Sequence, residues 1–223
     1  MDGLSALELQ KRGMSELLPG KVELFERRDC HECFSSDPLN NGLSCGIWRW
    51  TTLGGPTGLD VAITELHKNA REISYYEAPR GIHVATSLAI GVNNRGGRIA
   101  ILGRYPWNHV ISDALRMQLL RCADWVSGGQ LPVILETPAQ VMVVPRTRPD
   151  KQTACLFLLN ASIDSSPQLR LRLRGAGNWN NALWHTPGKE PVRLETEGDS
   201  EKIIFAPSLS AWSVGFLEPQ SIL

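Results

Sequence analysis

The sequence predicts an α+β fold in two parts, an α/β part in residues 1–130 and an antiparallel β-sandwich in residues 131–223. Two observations support this prediction. Before Pro132, two segments with helical periodicity flank a β-rich stretch, whereas after it about six short apolar runs alternate with turn-rich segments and lack any helical period. We therefore place a domain boundary near residue 131.

The first element is a predicted helix over residues 3–18. Its apolar residues recur at approximately helical spacing, and Asp2 or Ser5 can cap its N-terminus. The segment "KVELFERR" then predicts a strand. Residues 29–46 are rich in Asp, Ser, Asn, Gly and Pro, a composition typical of a loop.

Residues 46–103 are mostly β in character, in the segments "GIWRWTTL", "VAITELHK" and "GIHVATSLAIGV". The turn residues "VNNRGG" separate the last of these from "RIAILG", which predicts a hairpin. A second helix follows in "ISDALRMQLLRCADWVSGG", where Leu115, Leu119, Cys122 and Val126 recur at helical spacing. We assign Cys122 to the apolar face of this helix, as a core residue.

The second part contains six predicted strands at roughly ten-residue spacing, which is typical of an antiparallel sandwich. They are "QVMVVPR", "TACLFLLNAS", "QLRLRLRG", "NALWHT", "EKIIFAP" and "AWSVGF". In "QLRLRLRG" a period of two places three leucines on one face and three arginines on the other. Those arginines could bind an acidic glycan or a neighbouring domain, or form a solvated face.

Composition excludes several classes of function. The 223 residues include 42% hydrophobic residues, enough for a packed core, and the 23 basic and 23 acidic residues balance to zero net charge. No global field therefore favours nucleic acid or an anionic membrane as a partner. Because neither a secretory signal nor an apolar membrane span is evident, we expect a cytoplasmic protein. Phosphate and dinucleotide motifs are absent too, so we expect no cofactor.

Three segments resemble a known family. They are "MDGLSALELQKRGMSELL", "SSDPLNNG" and "GGRIAILGRYPW" followed by "RMQLLRCADWVSGGQLPV". In this order they resemble the C-terminal region of large bacterial glycoside-hydrolase-like proteins related to β-galactosidases. The resemblance covers nearly the whole chain, although its motifs are structural rather than catalytic.

The resemblance implies a partial flavodoxin-type, amidotransferase-like domain with a β-rich insertion in residues 1–130, followed by a terminal β-sandwich. It also implies that the catalytic barrel is absent. Independently, a (β/α)8 barrel takes about 250 residues, so this chain offers no scaffold for the paired carboxylates of a glycosidase. We therefore expect that the chain is not an enzyme by itself.

A cysteine-rich segment is the first candidate site. Cys30, His31, Cys33 and Cys45 supply the four ligands that a structural zinc ion requires, but no second metal-ligand pair follows and His31 is cramped between two thiols. Reduced loop cysteines are the alternative. Redox chemistry is a third possibility, although C-x-x-C functions best at a helix start.

The second candidate site is the loop after the strand that ends at Gly103, where an open α/β sheet binds ligands. It carries Arg104, Tyr105, Trp107 and His109. The resemblance implies a domain related to true amidotransferases, which carry a catalytic cysteine on such a turn. This chain instead has Arg104 and Tyr105 after Gly103. We interpret the loop as a structural anchor.

Tryptophans are the third candidate, because exposed indole rings stack on sugars. Trp48 and Trp50 lie two apart on a predicted strand, and Trp179 and Trp184 flank a turn. The alternative is that all four are core or interface residues.

The leading hypothesis is a non-catalytic structural and interaction module of a glycoside-hydrolase-like protein. A truncated parallel sheet would expose an edge and an apolar face, so we expect a homo-oligomer or a partner domain to cover them. The alternative is a carbohydrate-binding module acting through the tryptophans, and the least favoured hypothesis is an autonomous hydrolase.

Overall fold

A computed structural model describes residues 1–26, 29–44, 60–104, 112–147, 149, 153–174, 179–199 and 201–220. The chain divides into two compact units, Met1–Gly129 and Gln130–Leu223. The first unit contains α1 (Gly3–Lys11), β1 (Gly20–Phe25), β2 (His31–Phe34), β3 (Asp60–Leu66), β4 (Ala70–Ala78), β5 (Ile82–Val92), β6 (Arg98–Leu102) and α2 (Asp113–Val126).

The first unit is built on an antiparallel sheet, so the prediction of a flavodoxin-like, amidotransferase-like α/β domain is wrong. The strand order is β1-β3-β5-β4-β2, with β6 also paired to β5, and each of these pairs is antiparallel. A parallel sheet needs crossover helices between its strands. Here α1 precedes the strands and α2 follows them, whereas β3, β4, β5 and β6 are joined by short turns.

The first helix is shorter than predicted. Asp2 caps α1 by accepting a hydrogen bond from the Ser5 backbone N–H at 2.9 Å. The helix ends at Lys11, shortly before Gly13, whose φ of 76° is left-handed. Residues after it form a short 3₁₀ turn, Ser15–Leu17. The apolar side of α1 packs on β1, β3 and β6 through Ala6 and the leucines near it.

The second helix is confirmed, together with the role of Cys122. Ser112 caps α2, and Cys122 is buried in an apolar cluster with Ile73, Leu88 and Ile90. Burial raises the pKa of the Cys122 thiol to about 12, so it remains protonated and packs as a small apolar group.

Buried amide groups connect α2 to the segment "SSDPLNNG". Gln118 donates hydrogen bonds to Asn40 Oδ1 at 2.9 Å and to Ser74 Oγ at 2.8 Å. Asn40 in turn donates to the backbone oxygen of Ile73 at 2.8 Å.

The predicted hairpin of β5 and β6 is also confirmed, since Val92 pairs with Arg98 across the "NNRGG" turn.

The second unit contains only strands among its described regular elements. They are β7 (Val133–Leu135), β8 (Val141–Thr147), β9 (Thr153–Asn160), β10 (Leu169–Arg174), β11 (Asn181–His185), β12 (Val192–Glu197), β13 (Glu201–Ala206) and β14 (Ser213–Pro219). These strands form one antiparallel sheet in the order β7-β10-β13-β12-β11-β14-β9-β8.

This sheet curls so that its end strands, β7 and β8, approach each other in a nearly closed, barrel-like form. The antiparallel β character expected after Pro132 is present, but a single sheet replaces the predicted pair of stacked sheets. Alternate residues of each strand fill the interior, including Leu169, Leu171 and Leu173 of β10. No helix in the described part of the chain is long and apolar enough to cross a membrane.

Candidate functional site

Two clusters of polar side chains lie on opposite faces of β2 and β4. The register pairs His31 with Glu77, Glu32 with Tyr76 and Cys33 with Tyr75. Because alternate residues of a strand point to opposite faces, Glu32 and Tyr76 share one face, while the other pairs share the second. The strand His31–Phe34 therefore separates the two clusters, although composition predicts a loop for this segment.

The first cluster is a buried ion pair between Glu32 and Arg104. Arg104 Nη1 lies 3.1 Å from Glu32 Oε2, and Ser87 Oγ donates a hydrogen bond to Glu32 Oε1 at 2.7 Å. Burial lowers the pKa of Arg104, but the charge and hydrogen bond of Glu32 raise it above its ordinary value. The Arg104 guanidinium therefore keeps its charge inside the fold.

A second buried carboxyl, Asp60, lies within the electrostatic field of this pair. Its side chain is 2% exposed, and neither oxygen has a hydrogen-bond partner among the described residues. Burial raises the pKa of Asp60, the negative charge of Glu32 raises it further, and Arg104 opposes both. Burial likewise raises the pKa of Tyr76 well above its ordinary value, and the Tyr76 hydroxyl donates to the Val61 backbone oxygen at 3.3 Å.

Burial decides what this cluster can do. Glu32, Asp60 and Arg104 are all buried, so the carboxyls of Glu32 and Asp60 are not exposed to a sugar ring as a glycosidase pair must be. The groups lie on β2, β3, β5 and the second residue after β6. We interpret the cluster as structural, and this assigns Arg104 of the predicted loop site to the core. Tyr105, Trp107 and His109 lie outside the described residues.

The second cluster is half-buried and contains three potential metal ligands. His31 Nε2 lies 3.3 Å from Glu77 Oε1, and the ligand atoms of His31, Cys33 and Glu77 all lie within 4.8 Å of one another. The Tyr75 hydroxyl donates to Glu77 Oε2 at 3.4 Å. Burial, followed by the charges of Cys33 and Glu77, raises the pKa of Tyr75. The phenol therefore remains a donor at neutral pH.

This cluster continues along β4 and β5. The ring of His83 stacks on that of Tyr75 with centroids 4.7 Å apart, and His83 Nε2 lies 2.9 Å from Glu72 Oε2. Thr86 donates to the same Glu72 oxygen at 2.5 Å. Glu72 and Glu77 are thus both partners of histidines.

The four predicted metal ligands are only partly brought together. His31 and Cys33 converge because they are two residues apart on β2, whereas Cys30 is buried in an apolar cluster with Phe25 and Tyr76. Residues three apart in an extended chain point to opposite faces, so C-x-x-C spacing does not join the two thiols here. Cys45 lies outside the described residues. Glu77 supplies the ligand that the sequence did not identify.

Two of the four predicted sugar-stacking tryptophans are core residues. Trp179 and Trp184 are buried in the interior of the second unit, and Trp179 Nε1 donates to the Thr153 backbone oxygen at 3.0 Å. Their rings therefore cannot form an exposed platform. Trp48 and Trp50 lie outside the described residues. Trp212, which sequence analysis did not select, is 69% exposed in the turn before β14.

The arginine row of β10 already has acidic partners. Arg170 and Arg172 pair with Glu136, while Arg172 and Arg174 pair with Glu201 at 3.4 and 2.6 Å. The three leucines between them are buried, as the alternation predicts. Each of the three arginines thus has a carboxylate partner, and the two glutamates offset two of the three positive charges of this row.

Comparisons with known proteins show a similarity in fold alone. No protein-family model matches this chain, and no curated protein sequence matches it. A solved structure, alpha-L-fucosidase isoenzyme 2 from Paenibacillus thiaminolyticus, is similar over 92% of this chain with a TM-score of 0.53 and 12% sequence identity. This chain spans 34% of the fucosidase chain. The expected likeness to a glycoside-hydrolase-related fold is thus supported at a distance, without the amidotransferase-like part.

Proposed function

We propose that this chain is a non-catalytic structural and interaction module of a carbohydrate-related protein, one distantly related to the β-galactosidase-like proteins. The observation that carries the proposal is the fold likeness, in which nearly all of this chain corresponds to about a third of a fucosidase. All strand pairs in the described residues are antiparallel, unlike those of a catalytic (β/α)8 barrel.

The interaction part of the proposal rests on one surface of the second unit, because the truncated parallel sheet that first suggested a partner is not present. Outward-facing apolar residues of β8, β9 and β14 form what we call the outer apolar face. Its members are Met142, Val144, Phe157, Leu159, Val214 and Phe216. Several are large and substantially exposed, unlike the inward residues of the same strands.

The register arranges the outer apolar face in two rows. Met142 and Val214 both pair with Leu159, and Val144 and Phe216 both pair with Phe157. The phenyl rings of Phe157 and Phe216 lie 5.0 Å apart between centroids, in a tilted contact. A continuous apolar surface of this kind is typical of a protein–protein contact.

The rim of this face makes a second copy of the chain a suitable partner. Arg146 of β8 and Glu218 of β14 lie on opposite sides of Cys155, in the row beyond Phe157 and Phe216. A two-fold axis parallel to the strands would place Arg146 of one copy opposite Glu218 of the other. Self-association would then bury the apolar rows and pair the rim charges.

A charge placed on the outer apolar face tests the proposal. Phe157→Lys should shift the chain from dimer to monomer in sedimentation velocity, because a lysine at the centre of the contact would be desolvated without a partner. Phe205→Lys is the matched control, since Phe205 is exposed to a similar extent, 38% against 40%, on β13 away from this face. Equal effects of the two substitutions on association would contradict the proposal.

A carbohydrate-binding module remains the second candidate because of Trp212. This side chain is highly exposed, and its backbone φ of 51° is left-handed, an uncommon conformation for a large residue. Neutral oligosaccharide, including fucose-containing glycans, should then shift the tryptophan fluorescence of the wild type. Trp212→Ala should abolish the shift in a parallel binding assay by NMR, whereas Trp212→Phe should retain part of the affinity. Absence of binding by the wild type would contradict this candidate.

A further inference from the structure

We propose that His31, Cys33 and Glu77 form a binding site for a thiophilic divalent transition-metal ion such as Zn²⁺, and they are its three ligands among the described residues. The three side chains offer imidazole nitrogen, thiolate sulfur and carboxylate oxygen, which are the three ligand types that proteins use for zinc. The site is independent of the outer apolar face and of the proposed module function.

The geometry is close to what a tetrahedral ion requires. Zinc–ligand bonds of about 2.0–2.3 Å place two ligand atoms roughly 3.3–3.8 Å apart. His31 Nε2 lies 3.3 Å from Glu77 Oε1. Cys33 Sγ lies within 4.8 Å of the ligand atom of His31 and of the ligand atom of Glu77. Small side-chain rotations, without any backbone rearrangement, would bring all three atoms onto one ion.

The backbone fixes the three ligands before any ion binds. His31 and Cys33 are on the same face of β2, and Glu77 is the register partner of His31 on β4. A site built on paired strands holds its ligands more precisely than a loop does. The half-buried position also leaves an approach from solvent.

Tyr75 is placed to orient Glu77. It is the register partner of Cys33, its hydroxyl donates to Glu77, and it also interacts with the Cys33 thiol. A hydrogen bond of this type holds a ligand carboxylate in a coordinating orientation. On binding, the Cys33 thiol would lose its proton to solvent, so that one thiolate and one carboxylate balance the two charges of the ion.

Cobalt titration of the full chain tests the site directly, with a phosphine keeping the thiols reduced. Co²⁺ should bind with a stoichiometry of one, producing the near-ultraviolet charge-transfer absorption of a cobalt–thiolate bond, and Zn²⁺ should displace it. Cys33→Ser should abolish the absorption, and His31→Ala and Glu77→Gln should weaken binding strongly. Tyr75→Phe should weaken binding about 10- to 100-fold, as loss of a ligand's hydrogen-bond partner does.

A cysteine variant of the second unit is the matched control. Cys155→Ser removes a half-buried free thiol that is not part of the three-ligand cluster. It should bind Co²⁺ like the wild type. The proposal is overturned if the wild type shows no thiolate absorption, or if Cys33→Ser retains it while circular dichroism shows a folded chain.

Discussion

Trp184→Ala is expected to lower the free energy of unfolding by about 3–5 kcal/mol, because it removes a large buried ring from the core. Trp184 is 3% exposed and packs over Gly215 of the adjoining strand. A Cβ added at Gly215 would lie 1.9 Å from Cη2 of Trp184, so the indole ring occupies the space that a side chain there would need. Urea denaturation followed by circular dichroism measures the change.

The matched control is Trp212→Ala, which removes the same side chain from the surface of the same unit. Because Trp212 is exposed, we expect its loss to change stability by no more than about 0.5 kcal/mol. Gly215→Ala should destabilise by about 1–3 kcal/mol through overpacking against Trp184. If Trp184→Ala were as mild as Trp212→Ala, the assignment of Trp184 to the core would be wrong.

Arg104→Met is expected to lower the free energy of unfolding by about 3–5 kcal/mol, because it leaves buried carboxyls without their cation. Glu32 would keep its hydrogen bond from Ser87, but both it and Asp60 would lose the compensating charge. Arg95→Met provides the control, since Arg95 is exposed in the β5–β6 turn and its loss should cost about 0.5 kcal/mol at most. Similar losses in the two variants would contradict the structural role of the ion pair.

Asp60→Asn is expected to increase the stability of the fold relative to the wild type as the pH rises, whereas Arg104→Met decreases it. Because burial raises the pKa of Asp60 above that of the unfolded chain, the folded chain holds this proton more tightly. The resulting stability is complete below the unfolded pKa, about 3.9, and is lost as the pH rises through the folded pKa. Asn does not titrate, so the variant should gain stability relative to the wild type between acidic and neutral pH. A constant difference across that range would contradict the raised pKa.

The sequence predicts the local elements better than their pairing. Helix α2 and the β5–β6 hairpin follow from periodicity and turn residues, and the alternation in "QLRLRLRG" predicts the buried leucines of β10 correctly. The run Ile99–Leu102 followed by a helix also has the pattern of a βα unit, which favoured a parallel sheet. The turn residues already pair β6 with the preceding strand, but the antiparallel pairing of the other strands depends on a register that a single sequence does not specify.

The candidate sites fail in prediction for a related reason. The polar composition of residues 29–46 is typical of a loop and conceals β2, so the alternation of His31 and Cys33 could not be interpreted as a shared face. Glu77 joins them only through the register of β2 with β4, which a single sequence does not specify. Trp179 and Trp184 were candidates because their residue type suits both a core and a sugar platform, and only burial distinguishes the two.

Light scattering on the wild-type chain after size-exclusion chromatography, over a range of concentrations, tests the central claim most directly. An interaction module that associates through the outer apolar face should show a molar mass that rises with concentration toward twice that of one chain. Phe157→Lys should remain at the mass of one chain under the same conditions. A wild type that stays monomeric at every concentration would contradict the proposal.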